Sequence, residues 1–260
     1  MTVTGGVAAP SGAPDGEVVR RLVRDSTTVY GPDHRETLQA RCGLARQVGA
    51  AGDPGQALVI AREADAAATA ALGADDRTTL SARFEVAVWT REMEGAAAGA
   101  ECFGELIRQA KRLDPPPQSL IADSMLNLAG SLSDVGDHAR AVQAITDAIS
   151  LCQQVWGAAH ARVLGMRLTQ AHVAGSSGDP QTAADLSGRL AHDCAEILGG
   201  SHLTTLQARH AVARWTAAAG DREAAEQYYV ALSADVARVL GDDHWATQRC
   251  RLELAEIKKA

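Results

Sequence analysis

The sequence predicts an all-α protein, a solenoid of antiparallel helix pairs, and three observations carry that prediction. Glycines stand 42 residues apart at Gly31, Gly73, Gly157, Gly199 and Gly241, with Pro115 in the third place. Small residues recur at the same spacing at Ala45, Ala87, Ala129, Ala171, Ala213 and Ala255, and again at Ala57, Gly99, Ala141, Ala183 and Ala225. Between the two series fall Gly-Asp pairs: Gly52 with Asp53, Gly136 with Asp137, Gly178 with Asp179, and Gly220 with Asp221. A fixed period of this length over most of a 260-residue chain marks a repeat array, in which each unit buries its apolar face against the next.

Taken in order, the chain opens on MTVTGGVAAPSGAPDG (1–16), which lacks the basic start and apolar run of a signal peptide and reads as a disordered leader. A lone helix of the second type is expected over 17–30. Gly31 follows Tyr30 and can close that helix by taking positive φ. Asp33 reads as the next N-cap, with Glu36 three residues on as in a capping box. First helices are then expected near 34–51, 76–93, 117–135, 159–177, 201–219 and 243–259, and second helices near 54–72, 95–113, 138–156, 180–198 and 222–240. In each Gly-Asp pair the glycine ends the first helix and the aspartate caps the second. Pro54 and Pro180 follow at the first helical position, where no backbone donor is lost. The recurring small residues mark where the helices of a pair cross closely.

The second unit departs from the pattern, reading Glu94 then Gly95, and the third opens on Pro115, Pro116 and Pro117. These neighbouring irregularities are either a drifted connector or a bend near 94–117 in one array over 17–260.

Composition narrows the function. Lys plus Arg is 25 against 32 for Asp plus Glu, a net charge of −7, without a basic run, so no footprint for nucleic acid is present. No apolar run is long enough to span a membrane. Cys42, Cys102, Cys152, Cys194 and Cys250 are odd in number, widely spaced and free of any C-x-x-C, which fits reduced thiols and a cytoplasmic location. Arginine far outnumbers lysine and alanine is abundant, the composition expected of a GC-rich bacterial gene. There is no Walker loop, H-E-x-x-H, G-x-S-x-G or paired metal-ligand spacing, and no cofactor or metal is expected.

Leucine-alanine pairs (Leu44–Ala45, Leu128–Ala129), Gly-Asp seven residues later and an alanine five beyond resemble the tetratricopeptide repeat. The 42-residue length, with GPDHRETLQARCGLA and GGSHLTTLQARHAVA, is similar to the kinesin-light-chain type of that repeat. The resemblance implies a right-handed superhelical solenoid of about five and a half repeats and roughly 12 helices, with the first helices lining a concave groove. It implies a protein or peptide partner there. The asparagine ladder of the kinesin-light-chain pattern is reduced to Asn127, the sole Asn in the chain, so that family's mode of recognition does not carry over.

His34, His160, His202 and His244 share one repeat position, one per unit, which suits capping or packing better than a metal site. Arg41, Arg83, Arg167, Arg209 and Arg251 share another and read as framework residues with packed stems and paired heads. Trp89 and Trp215 also coincide and read as inter-repeat packing. Groove-facing residues that vary between units are the candidate ligand-binding set: Arg46, Glu85, Arg91, Asp123, Asn127, His172, His210 and Arg214. Three functions remain open: a non-catalytic scaffold for a protein or peptide, a regulatory subunit acting on a separate effector, and an enzyme with His172 or His210 in a closed pocket.

Overall fold

The structure, a computed structural model, describes residues 16–259. The leader expected over 1–16 lies almost wholly outside the described residues. Twelve helices follow one another: α1 (Gly16–Tyr30), α2 (Arg35–Ala50), α3 (Pro54–Leu72), α4 (Arg77–Glu94), α5 (Ala96–Ala110), α6 (Gln118–Asp134), α7 (His138–Trp156), α8 (Ala161–Ser176), α9 (Pro180–Leu198), α10 (Leu203–Ala218), α11 (Arg222–Leu240) and α12 (Trp245–Lys259). No strand occurs among the described residues, and no helix there is long and apolar enough to cross a membrane. The protein is an all-α repeat array of helix pairs. Its contacts group it into two compact units, one reaching to Ser124 and one from Met125 onward.

The turns follow the repeat chemistry. Gly31, Gly73, Gly157, Gly199 and Gly241 close second-type helices at φ between 86° and 94°, a region open to glycine without steric cost. Asp53, Asp137, Asp179 and Asp221 cap the second helices, each side chain accepting the N–H three residues on at 2.9–3.3 Å. The N-cap of α2 is His34 and not Asp33. Its Nδ1 accepts the Glu36 N–H at 3.3 Å, and His160, His202 and His244 do the same for Arg162, Thr204 and Ala246. Asp76 fills that role for α4 at 2.7 Å. A neutral imidazole nitrogen serves as an acceptor as a carboxylate does, so the histidine series is a set of caps.

A threonine series unnoticed in the sequence braces the same turns. Thr37, Thr79, Thr205 and Thr247 are fully buried or nearly so, and each donates to the carbonyl of the preceding glycine, Gly31, Gly73, Gly199 or Gly241, at 2.7–2.8 Å. Ile121 and Val163, also β-branched and buried, hold the position in the other two units.

Three of the five framework arginines pair with the following second helix, whereas Arg251 is exposed and meets Asp242 in the preceding turn. Arg83 meets Gln109 at 2.5 Å and Asp65 at 3.1 Å, Arg167 meets Asp193 at 2.7 Å, and Arg209 meets Asp235 at 2.7 Å. At the irregular second unit, Gly95 (φ 99°) both ends α4 and starts α5 without a side-chain cap, so a single residue joins the two helices. The second helix there stops at Ala110, short of the expected 113.

Alanines fill the helix crossings: Ala45, Ala57, Ala61, Ala64, Ala129, Ala171, Ala183 and Ala213 are wholly buried. Ala255, on α12, is exposed. The two tryptophans of the repeat each lie on a glycine of the preceding first helix. A Cβ added at Gly49 would sit 2.0 Å from the Trp89 ring, and one at Gly175 would sit 2.3 Å from Trp215. The indole plane is thereby seated directly on backbone.

Candidate functional site

In the first unit, α2, α4 and α6 bring together Arg46, Glu85 and Asp123. The Glu85 carboxylate is 2% exposed and pairs with the Arg46 guanidinium, which is 65% exposed. Arg46 approaches through both Nε (3.0 Å) and Nη2, so one carboxylate oxygen takes two donors. Burial raises the Glu85 carboxyl above its ordinary value, against the pull of Arg46 and of the Trp89 indole one turn away. Asp123 adds its negative charge to the field that keeps Arg46 charged. Burial also pushes the neighbouring Cys42 thiol up to about 12, with Glu85 adding to it, so this sulfur is no nucleophile at neutral pH.

In the second unit, α8, α10, α11 and α12 build a larger polar cluster. His210 on α10 reaches Glu253 on α12 at 2.5 Å. Arg249, one turn before Glu253, holds its other oxygen at 3.0 Å. Burial alone would raise the Glu253 carboxyl, but the hydrogen bonds and charges of His210 and Arg249 bring it down to about 2. Tyr229 on α11 stands edge-on to His210 with centroids 5.8 Å apart, and burial with the nearby Glu253 raises its phenol well above the usual range. His172 on α8 is lowered to about 4 by burial, then by the charges of Arg214, His210 and Arg249. It packs edge-on against Trp215, whose face also carries the Arg214 guanidinium 4.7 Å from the ring centroid. Beside this cluster an open cleft of about 390 Å³ is lined by Arg214, Ala217, Arg222, Tyr229, Glu253 and Glu256, among others.

Of the sequence-predicted set, Arg46, Glu85 and Asp123 converge in the first unit, and His172, His210 and Arg214 converge in the second. Arg91 does not join the first group. Its stem packs at the crossing with α5, where a Cβ on Gly99 would come 2.5 Å from the Arg91 Cβ, and its Nη1 lies 3.2 Å from Glu92. Asn127 is half-buried further along α6. Sequence reasoning missed Arg249, Glu253, Tyr229 and Arg222. Glu253 was within reach, because it stands four periods after Glu85 at the same repeat position.

Chemically, the second cluster offers a guanidinium laid on an aromatic face, a hydrogen-bonded His–Glu pair and exposed charges of both signs. These groups can recognise polar and charged side chains. Neither His172 nor His210 lines this open cleft.

The tetratricopeptide-repeat family model matches residues 121–162 and 205–246. No curated protein matches the sequence. Among solved structures, BtubC (BKLC) from P. vanneervenii is similar with a TM-score of 0.75 and 18% identity, over 87% of this chain and 91% of that one. A Podosopora anserina array of nearly identical TPR-like repeats, of the kinesin light chain kind, is similar with a TM-score of 0.69 and 21% identity, over 80% and 98%. A Rap protein complexed with Competence and Sporulation Factor gives a TM-score of 0.60 and 13% identity, over 94% and 69%. At these identities the likeness is one of fold.

Proposed function

We propose that this chain, similar to the tetratricopeptide-repeat family over residues 121–162 and 205–246, is a non-catalytic scaffold whose second unit holds a peptide segment of a protein partner on the faces of α10 and α12. The observation that carries this reading is the cluster of His210, Arg214, Tyr229, Arg249 and Glu253 beside an open cleft, in an array whose other repeated polar residues are spent on caps and framework pairs. A Rap protein of similar fold was solved with Competence and Sporulation Factor bound, which supports holding a partner as work this architecture can do. Arg214 is pre-oriented on Trp215 and Arg222 also lines the cleft, so the segment carries at least one carboxylate toward them.

The test is selection of binders from a random peptide display library on the whole protein. Selected peptides should be enriched in Asp and Glu, and Arg214→Glu together with Arg222→Glu should weaken them at least about tenfold, the loss of one charge-assisted contact. Peptides that bind the double variant as tightly as the unaltered chain would remove the second unit as the site.

A further inference from the structure

The helices at the two extremes of the described chain are complementary. Among the described residues α1 is a second-type helix with no first helix before it, and α12 is a first-type helix with no second helix after it. Within the complete pairs, a first helix meets its own second helix at two recurring spacings. A groove-side residue packs with the residue 22 later: Cys42 shares a core cluster with Ala64, and Leu168 packs on the cluster of Leu190. The framework arginine bonds the residue 26 later: Arg83 with Gln109, Arg167 with Asp193, Arg209 with Asp235.

Carried forward from α12, these spacings lead from Leu252 and Arg251 to positions that, six 42-residue periods earlier, are Leu22 and Asp25 on α1. Leu22 is 53% exposed, although its counterparts Ala64, Leu106, Ala148, Leu190 and Leu232 are all at most 2% exposed. Leu252 is 67% exposed. Asp25 has an exposed contact to Arg21 on its own helix at 3.5 Å, and Arg251 has one to Asp242. Exposed ion pairs of that kind are cheap to exchange. Both the apolar contact and the charged contact of a complete pair are therefore present, each divided between α1 and α12.

We propose that α12 of one copy docks on α1 of a second copy, with Leu252 against Leu22 and Arg251 bonded to Asp25, so that the repeat continues from copy to copy. The occupant of both faces is this chain itself. The argument is continuity with the packing seen in four of the five complete pairs, together with charge complementarity at the register that packing dictates. The contact joins two different surfaces, so it is heterologous and extends head to tail, growing with concentration or closing as a ring.

Sedimentation velocity on the full chain, from about 5 µM to about 500 µM, should show a weight-average mass that climbs beyond a dimer. Leu22→Asp and Leu252→Asp should each remain monomeric. Both positions are exposed, so each variant should keep the far-ultraviolet circular dichroism of the unaltered chain. An equimolar mixture of the two variants retains one intact α12 face and one intact α1 face. It should form a dimer and stop there. Asp25→Arg and Arg251→Asp should each weaken assembly at least about tenfold, and the double exchange should restore it, which tests the register even if a leucine variant folds poorly. A chain that stays monomeric throughout, a dimer that grows no further, assembly indifferent to these substitutions, or a variant mixture that stays monomeric would each overturn the proposal.

Discussion

Glu85 in the first unit and Glu253 in the second occupy the same position of the 42-residue repeat, and each faces a basic residue of the preceding first helix, Arg46 or His210. Their carboxyls are nevertheless driven in opposite directions. Glu85 is sealed from water at 2% exposure and has one cationic partner, itself mostly in solvent, so burial prevails and raises it. Glu253 keeps 24% exposure and has two partners, so their hydrogen bonds prevail and bring it to about 2. Repeat position fixes which face a residue occupies. Water access and the neighbouring helix decide what its chemistry becomes.

What the two regions share should be tested first, since it carries the largest effect. Both seat a tryptophan on a glycine, Trp89 on Gly49 and Trp215 on Gly175, and an added Cβ would overlap either ring. Gly49→Ala and Gly175→Ala should each cost about 3 kcal/mol, because an aromatic side chain or two helices must shift. Elsewhere Gly→Ala inside a helix stabilises by about 0.5–1 kcal/mol. Gly130→Ala and Gly165→Ala, where nothing lies within 4 Å of the added atom, should do so. Urea unfolding followed by tryptophan fluorescence reads both signs. A loss under about 1 kcal/mol at both tryptophan-bearing sites would break the claim that the two regions share a rigid seat.

The contrast itself should appear as opposite pH slopes. The folded chain takes up the Glu85 proton before the unfolded chain does, the ordinary value being 4.5. The unaltered protein should therefore gain stability relative to Glu85→Gln as pH falls from neutral to 4.5. Glu253 titrates lower when folded, so its advantage over Glu253→Gln should hold down to 4.5 and disappear as pH falls to about 2. His172 adds a third slope. Its folded value of about 4 lies below the ordinary 6.5, so the unfolded chain protonates first, and stability relative to His172→Gln should fall between pH 6.5 and 4. Urea midpoints of the three variants across pH check all three signs, and parallel curves for Glu85→Gln and Glu253→Gln would erase the distinction between the units.

Much of the fold was legible because the period is written in residues whose backbone roles are local. Glycines that close helices and aspartates that cap them act within a few residues of themselves, and the helix boundaries they implied lie within about three residues of those observed. The cap of α2 was read as Asp33 because side-chain preference favours aspartate; the neighbouring His34 reaches the open N–H groups instead. The Thr37 series was missed because a buried hydroxyl bonded to a turn carbonyl looks like any β-branched residue in a list. The site was legible by halves. Arg46 with Glu85, and His172 with Arg214, follow from facing first helices, but the Gly49–Trp89 and Gly175–Trp215 seats depend on how far a ring extends across a helix crossing. Arg91 shows the converse, since a groove position on paper became a packing stem once Gly99 let α5 approach.

The smallest effect concerns the cap that differs between the regions. Asp76 starts α4 in the first unit and His202 starts α10, three periods later, in the second. Asp76 accepts the Thr78 N–H at 2.7 Å and also takes Arg35 through both oxygens, at 2.9 and 2.7 Å. His202 accepts the Thr204 N–H at 3.2 Å through a neutral nitrogen. A charged acceptor at a helix N-terminus also gains from the macrodipole, so His202→Asp should stabilise by about 0.5 kcal/mol. Asp76→His should destabilise by about 1 kcal/mol, because the bidentate arginine loses its partner along with the charge. The gain from His202→Asp should also shrink as salt is raised, since the dipole interaction is screened. Equal and opposite shifts for the two exchanges would mean that Arg35 contributes nothing to the first cap.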